Sequence, residues 1–270
     1  MGEKARQYKP STVRRLDTLS RNECAAPDCD RKLIARDGET IVSKICHIEA
    51  ASENGPRFNP EMDDDDRRHF NNLILLCDEC HNIIDNIENE EKYPVVLLKS
   101  WKKTHETTSQ QSILTHKPRL INQAINAIAE IEIEESNEVL DNLTPYNISE
   151  KISHNSIKRN KPLIEEYGKY YTKVNVIYSE LEKQGSFKKE KLLRIIKQLY
   201  VRVKGKYILN AEDTMKSIRD NADNIIEDIE NSILENIDIN DSEKDDIAFA
   251  VPIIMVDAFM RCKILEKPAI

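Results

Sequence analysis

Asn72-Leu73-Ile74-Leu75-Leu76-Cys77-Asp78-Glu79-Cys80-His81-Asn82-Ile83-Ile84-Asp85 is the stretch that decides the fold of the first half of this chain. An apolar run closes on two cysteines with two residues between them, a histidine follows at once, and the Ile83-Ile84 step suits a helix from Cys80 to about Asn86. On such a helix His81 and Asp85, four residues apart, share one face. Cys77 and Cys80 have a matching pair upstream in Cys24-Ala-Ala-Pro-Asp-Cys29. In a reducing compartment two close pairs are thiolate ligands of a tetrahedral zinc more readily than disulfides. The separation of the pairs leaves room for a hairpin. Two strand-like runs, Lys32 to Ala35 and Thr40 to Ile45, flank Arg36-Asp37-Gly38-Glu39, whose Asp-Gly is a turn signal. His47 then ends the second strand, and zinc would fasten the chain before the hairpin to the start of the helix after it.

Taken in order, His47, Asn72 and His81 with the two cysteine pairs resemble the signature of the HNH (ββα-metal) nucleases, in their zinc-bearing branch. The surrounding residues sharpen this. His47-Ile-Glu-Ala-Ala-Ser-Glu-Asn-Gly-Pro-Arg-Phe-Asn-Pro60, followed by Arg67-Arg68-His69-Phe70-Asn71-Asn72, is similar to the HNH domains joined to SAVED sensor domains in bacterial antiphage systems, over about residues 10 to 106.

The resemblance implies a metal-dependent endonuclease that hydrolyses DNA phosphodiester bonds, with His47, Asn72 and His81 as catalytic residues. A neutral imidazole suits the role of base, because its pKa lies near working pH. His81 is the expected ligand of a catalytic divalent ion, Mg2+ or Mn2+, with Asp85 as an oxygen donor one turn on. Asn72 is expected to orient rather than react, its amide keeping His47 aimed. Arg57 and Arg68 are candidate DNA phosphate contacts. The sequence departs from the family at Cys46, where many members carry an aspartate metal ligand. Either Cys46 packs and the ion is held by His81, Asp85 and water, or a softer ion such as manganese or nickel is used; Glu49 is a third possibility, on the face of His47 only if the strand continues.

Outward from this core the 270 residues divide into a basic arm (1–22), the nuclease domain (23–106), a linker (107–118) and a helical domain (119–270). The fold class is therefore α+β: a zinc-stapled ββα-metal domain followed by an all-α domain. Apolar residues recur at three- and four-residue steps beyond Pro118, with helices expected near Lys189 to Tyr207, Ala211 to Ile237 and Ser242 to Leu265, the last kinked or divided by Pro252. The remaining 150 or so residues are too few and too helical for a SAVED sensor. Instead, Ile253-Ile-Met-Val-Asp-Ala-Phe-Met-Arg-Cys-Lys-Ile-Leu-Glu-Lys-Pro268, with the Tyr-rich helix from Tyr167 to Tyr178, is similar to the C-terminal domain of effectors in ABC three-component conflict systems. That resemblance implies protein partners bound through the helical domain, an ABC ATPase and a small middle component among them. An ordinary helical oligomerisation bundle is the alternative, and an oligomer is expected.

Composition limits these readings. A net charge of −8 runs against nucleic-acid binding, although the arm gathers Lys4, Arg6, Lys9, Arg14, Arg15 and Arg21. No apolar run is long enough to span a membrane, and no secretory signal opens the chain, so a cytoplasmic protein is expected. The competing function is a zinc-stabilised module binding nucleic acid or protein, its HNH site inactive, acting as scaffold for an ATPase complex.

Overall fold

A continuous apolar run can be a strand only when both its faces are covered, and this is the state of Leu73–Cys77, in which all five residues are buried. In the computed structural model this run is strand β2 (Leu73–Cys77), paired antiparallel with β1 (Ser43–His47) in the register Ser43↔Cys77 to His47↔Leu73. The structure describes residues 4–117, 119–132, 145–238 and 241–268, with backbone alone for 241–245. Residues 1–3 of the expected arm and Pro118 at the end of the expected linker lie outside the described residues.

The chain divides into two compact units, Met1–Pro118 and Arg119–Ile270. In the first, a 3₁₀ turn (Lys4–Arg6) and helix α1 (Pro10–Ser20) precede β1. Helix α2 (Asp64–Arg67) comes next, then β2, α3 (Asp78–Asp85) and α4 (Val95–His116). Both α1 and α3 pack on β2, and Ile48, Ile74, Leu76, Ile84 and Leu98 form the core between these elements. Asp63 starts α2 with a capping box closed by Asp66, so the acidic run there is a helix start.

The second unit holds α5 (Leu120–Ala129), α6 (Ile148–His154), α7 (Lys161–Gly168), α8 (Tyr171–Lys183), α9 (Lys188–Ile208), α10 (Thr214–Asp220), α11 (Ala222–Asn236) and α12 (Asp241–Met260). From Ile247 to Phe259 every residue of α12 is buried, and it packs against α5, α7, α8, α9 and α11. A helix apolar on all sides is the centre of its bundle. The described residues are mostly helical with one two-stranded sheet, consistent with an α+β class.

Four sequence expectations are corrected. The Lys32–Ala35/Thr40–Ile45 hairpin closes around its Asp-Gly turn, but it is reduced to one bridge, Ile34↔Ile41, and the strand begins at Ser43. Its apolar partner is β2 rather than the exposed Ile41. The expected linker is helix: α4 runs on to His116, with the hydroxyls of Thr108 and Thr115 absorbed by the carbonyls of Thr104 and Gln111. The helix expected over Ala211 to Ile237 is two, broken at Asn221, whose side chain donates to the Ser217 carbonyl. Pro252 does not divide α12, which continues across it. Among the described residues no helix is long and apolar enough to cross a membrane.

Candidate active site and metal centre

Four thiols converge where β2 passes into α3. Cys24 follows α1, Cys29 lies in the turn closed by its N–H to the Ala26 carbonyl, Cys77 caps α3, and Cys80 is in its first turn. The four sulfurs lie within 4.8 Å of one another; Cys29 Sγ and Cys77 Sγ are 3.8 Å apart, and none is in a disulfide. The Cys77 N–H donates to Cys24 Sγ at 3.4 Å. A tetrahedral ion with bonds of about 2.3 Å spaces its sulfurs roughly 3.8 Å apart, so this donor set fits a metal such as zinc.

The pairing of β1 with β2 brings the other residues together. His47 ends β1 opposite Leu73, and Asn72 stands one residue before it. The Asn72 side chain is 4 % exposed and fully used: Nδ2 donates to the Glu49 and Arg67 carbonyls at 2.9 Å each, and Oδ1 accepts the Glu49 N–H at 2.9 Å. It therefore clamps the backbone just beyond His47. On α3, His81 Nε2 and Asp85 Oδ2 are 3.4 Å apart. The two groups face each other across one helical turn, as the shared face predicts.

Nε2 of His47 lies 3.0 Å from the Ala5 carbonyl oxygen, and the Tyr8 ring is 5.8 Å away, centroid to centroid. A carbonyl only accepts, so Nε2 carries the proton and the lone pair of the neutral ring is on Nδ1. Burial holds the imidazole below its usual pKa, the Ala5 carbonyl opposing this in smaller measure. Burial also pushes the Tyr8 phenol up to about 12, with Arg6 opposing.

Cys46 takes the packing role that was one of its two readings, while the two expected phosphate contacts, Arg57 and Arg68, have other partners. Cys46 is 1 % exposed and packs in the core, where burial holds its thiol protonated far above the ordinary range. It is a packing residue, since alternation along β1 turns it away from His47. Arg57, expected at a phosphate, is buried, donating from Nε to the Ile48 carbonyl and from Nη1 to the Ile84 carbonyl. Arg68 is paired with Asp65, and its Nη1 donates to the Gln7 carbonyl. The Gly-Pro turn and the acid run ahead of these arginines direct both side chains to the protein's own oxygens.

The site also contains groups that sequence reasoning missed. Ala5 meets His47 through a backbone carbonyl, which no residue type announces. Tyr8 had no signal beyond being an aromatic in a charged arm. Glu90, which accepts the Arg57 N–H through Oε1, lies 33 residues from it.

Residues 119–266, more than half of the chain, match C-terminal domain 10 of the ABC-three component (ABC-3C) systems. The chain belongs to this ABC-3C family. The match covers α5 to α12, so the helical unit of this ABC-3C protein is its family domain and the cysteine cluster lies ahead of it. No curated protein matches the ABC-3C chain.

Proposed function

We propose that this ABC-3C protein is the nuclease effector of its system, a metal-dependent HNH endonuclease that hydrolyses DNA phosphodiester bonds in antiphage defence and is controlled through its helical domain. The observation that carries the reading is the convergence, around one β1–β2 pair and a cysteine-pinned helix, of His47 with its tautomer fixed, the Asn72 clamp, and His81 with Asp85 one turn apart. Zinc is the ion assigned to Cys24, Cys29, Cys77 and Cys80. Its task is to hold the start of α3, and with it His81 and Asp85, against the loop after α1.

In the reaction, Nδ1 of His47 takes a proton from water while Nε2–H stays on the Ala5 carbonyl. The water oxygen bonds to phosphorus, the bond from phosphorus to the leaving oxygen breaks, and that oxygen takes a proton from solvent. Asn72 holds the turn beyond His47 so that Nδ1 keeps its direction. His81 and Asp85 would hold a Mg2+ or Mn2+ ion, which would supply positive charge to the phosphate and the departing oxygen.

Plasmid nicking with Mg2+ or Mn2+ tests this. Losing a general base costs roughly 10²- to 10⁴-fold, so His47→Ala should fall by at least that lower bound while its zinc content stays intact. Equal nicking by both proteins, or none by wild type even with the other system components, would leave the inactive zinc module as the better account.

A further inference from the structure

We infer that Arg57 is a positioning residue of the His47 site, which locks the end of β1 to the end of α3 and holds Asp85 in place for its cation. The inference rests on the nuclease reading only for what the site does, since the arrangement itself is independent of cleavage. The guanidinium reaches three places. Nε donates to the Ile48 carbonyl at 2.7 Å, one residue beyond His47. Nη1 donates to the Ile84 carbonyl at 2.8 Å, one residue before Asp85. Nη2 has no hydrogen-bond partner and lies 3.8 Å from Asp85 Oδ1. The side chain is 2 % exposed, so that orphaned N–H group faces Asp85 without water as an ordinary alternative.

This geometry is costly, which is why it carries weight. Arg57 sits at φ +59°, a region that penalises a side chain by roughly 1–2 kcal/mol, and its own N–H is held by Glu90 Oε1 at 2.8 Å. A buried cation persists only where anions and acceptors surround it. Asp85 answers the charge. Its Oδ2 lies 3.4 Å from His81 Nε2 and its Oδ1 lies 3.8 Å from Arg57 Nη2, so one oxygen is left for an ion shared with His81 while the other is drawn towards the guanidinium charge. Only a planar fork with five donors reaches two carbonyls and a carboxylate at once, so lysine should not replace it.

The experiment uses the full chain, with zinc loaded, as wild type, Arg57→Lys and Arg57→Gln. Mn2+ binding is read by the loss of the free-ion signal in electron paramagnetic resonance, alongside zinc stoichiometry, thermal melting and cleavage kinetics. Groups that orient metal ligands are worth roughly 10- to 100-fold in affinity. Arg57→Lys should therefore keep its zinc and bind Mn2+ at least 10-fold more weakly, with kcat lowered and the KM for DNA unchanged. Undiminished Mn2+ binding by a folded Arg57→Lys overturns the inference, and so does a higher KM with kcat intact, which would return Arg57 to the phosphate. Wild-type protein that binds no Mn2+ overturns it as well. If both variants fail to fold, the wild type decides: the Arg57 Nε–H resonance should move when Mg2+ is added and stay still in Asp85→Asn, and a resonance still in both overturns the inference. Mn2+ binding that depends on Arg57 without any cleavage would remove the nuclease reading and leave this one standing.

Discussion

At the scale of single residues, the side chains that hold this protein's sites together are polar and buried, and their removal costs more than the bonds they make. Asn72 serves three backbone groups at once. Asn72→Ala would leave them without partners, so the first unit should lose about 3 kcal/mol. Asn72→Asp should be worse, since it sets a carboxylate against two carbonyls. The only tryptophan, Trp101, lies in this unit, so urea unfolding followed by its fluorescence reads the effect directly. Lys151, in the other unit, is wholly buried, with Nζ donating to the Phe259 and Ile264 carbonyls and 4.3 Å from the Phe259 ring centre. Burial lowers its pKa from 10.5 to about 8. Between those values the unfolded chain binds more protons than the folded one, so this lysine makes stability rise as pH rises through about 8 towards 10.5. The gain is on the order of 3 kcal/mol across the window. Urea midpoints by circular dichroism at several pH values should show the rise in wild type and lose it in Lys151→Met; parallel curves would put the lysine charge elsewhere.

At the scale of elements, legibility followed residue identity. Cysteines and histidines announce their chemistry, so the Cys24/Cys29/Cys77/Cys80 set and the sharing of one helical face by His81 and Asp85 could be read from spacing alone. The partner of β1 could not, because a run buried on both faces has no period, and Leu73–Cys77 reads equally as strand or helix. TTSQQSILTH was misread as linker for the opposite reason: its Thr, Ser and His are weak helix formers, yet the run contains no glycine or proline to stop α4. The contact of the 3₁₀ turn Lys4–Arg6 with His47 was invisible, being made by a carbonyl. This turn carries a prediction. Deleting residues 1–9 uncovers His47, and because burial is the larger influence on it, the imidazole pKa should rise towards its ordinary value. The base must be neutral, so the acid limb of the cleavage profile should move to higher pH. Histidine resonances titrated by NMR would check the same shift without cleavage, and an unmoved His47 would show that the turn does not bury it in solution. Cys77→Ala acts on the neighbouring join of β2 to α3. It should unfold the first unit outright, seen as lost metal and a collapsed Trp101 transition.

At the scale of the whole molecule, the candidate site and the family domain lie in different units. Every residue of the His47 site lies before Pro118, and the ABC-3C domain begins at Arg119. Each unit has its own core: Ile48, Ile74, Leu76 and Ile84 in one, and Ile121, Ile125, Phe249 and Ile254 in the other. A unit with a closed core of this kind folds by itself. Residues 1–118 with zinc and residues 119–270 should therefore each unfold cooperatively when made separately. The charge then separates their tasks further. The chain is acidic, and Arg15 and Arg57, which the sequence offered as cations for DNA, are buried, while Arg68 is paired with Asp65. Lys4, Arg6 and Arg21 stay exposed on the arm, a small basic set, and binding that rests on few phosphate contacts is weak and only slightly salt-dependent. Cleavage by the chain alone should thus be slow at low DNA concentration. Addition of the other components of its system should raise it at least 10-fold for the full chain and leave residues 1–118 unchanged if, as proposed, the ABC-3C domain is where those components bind. Equal stimulation of fragment and full chain would place the partner contact on the nuclease unit and remove the helical domain from control of the cut.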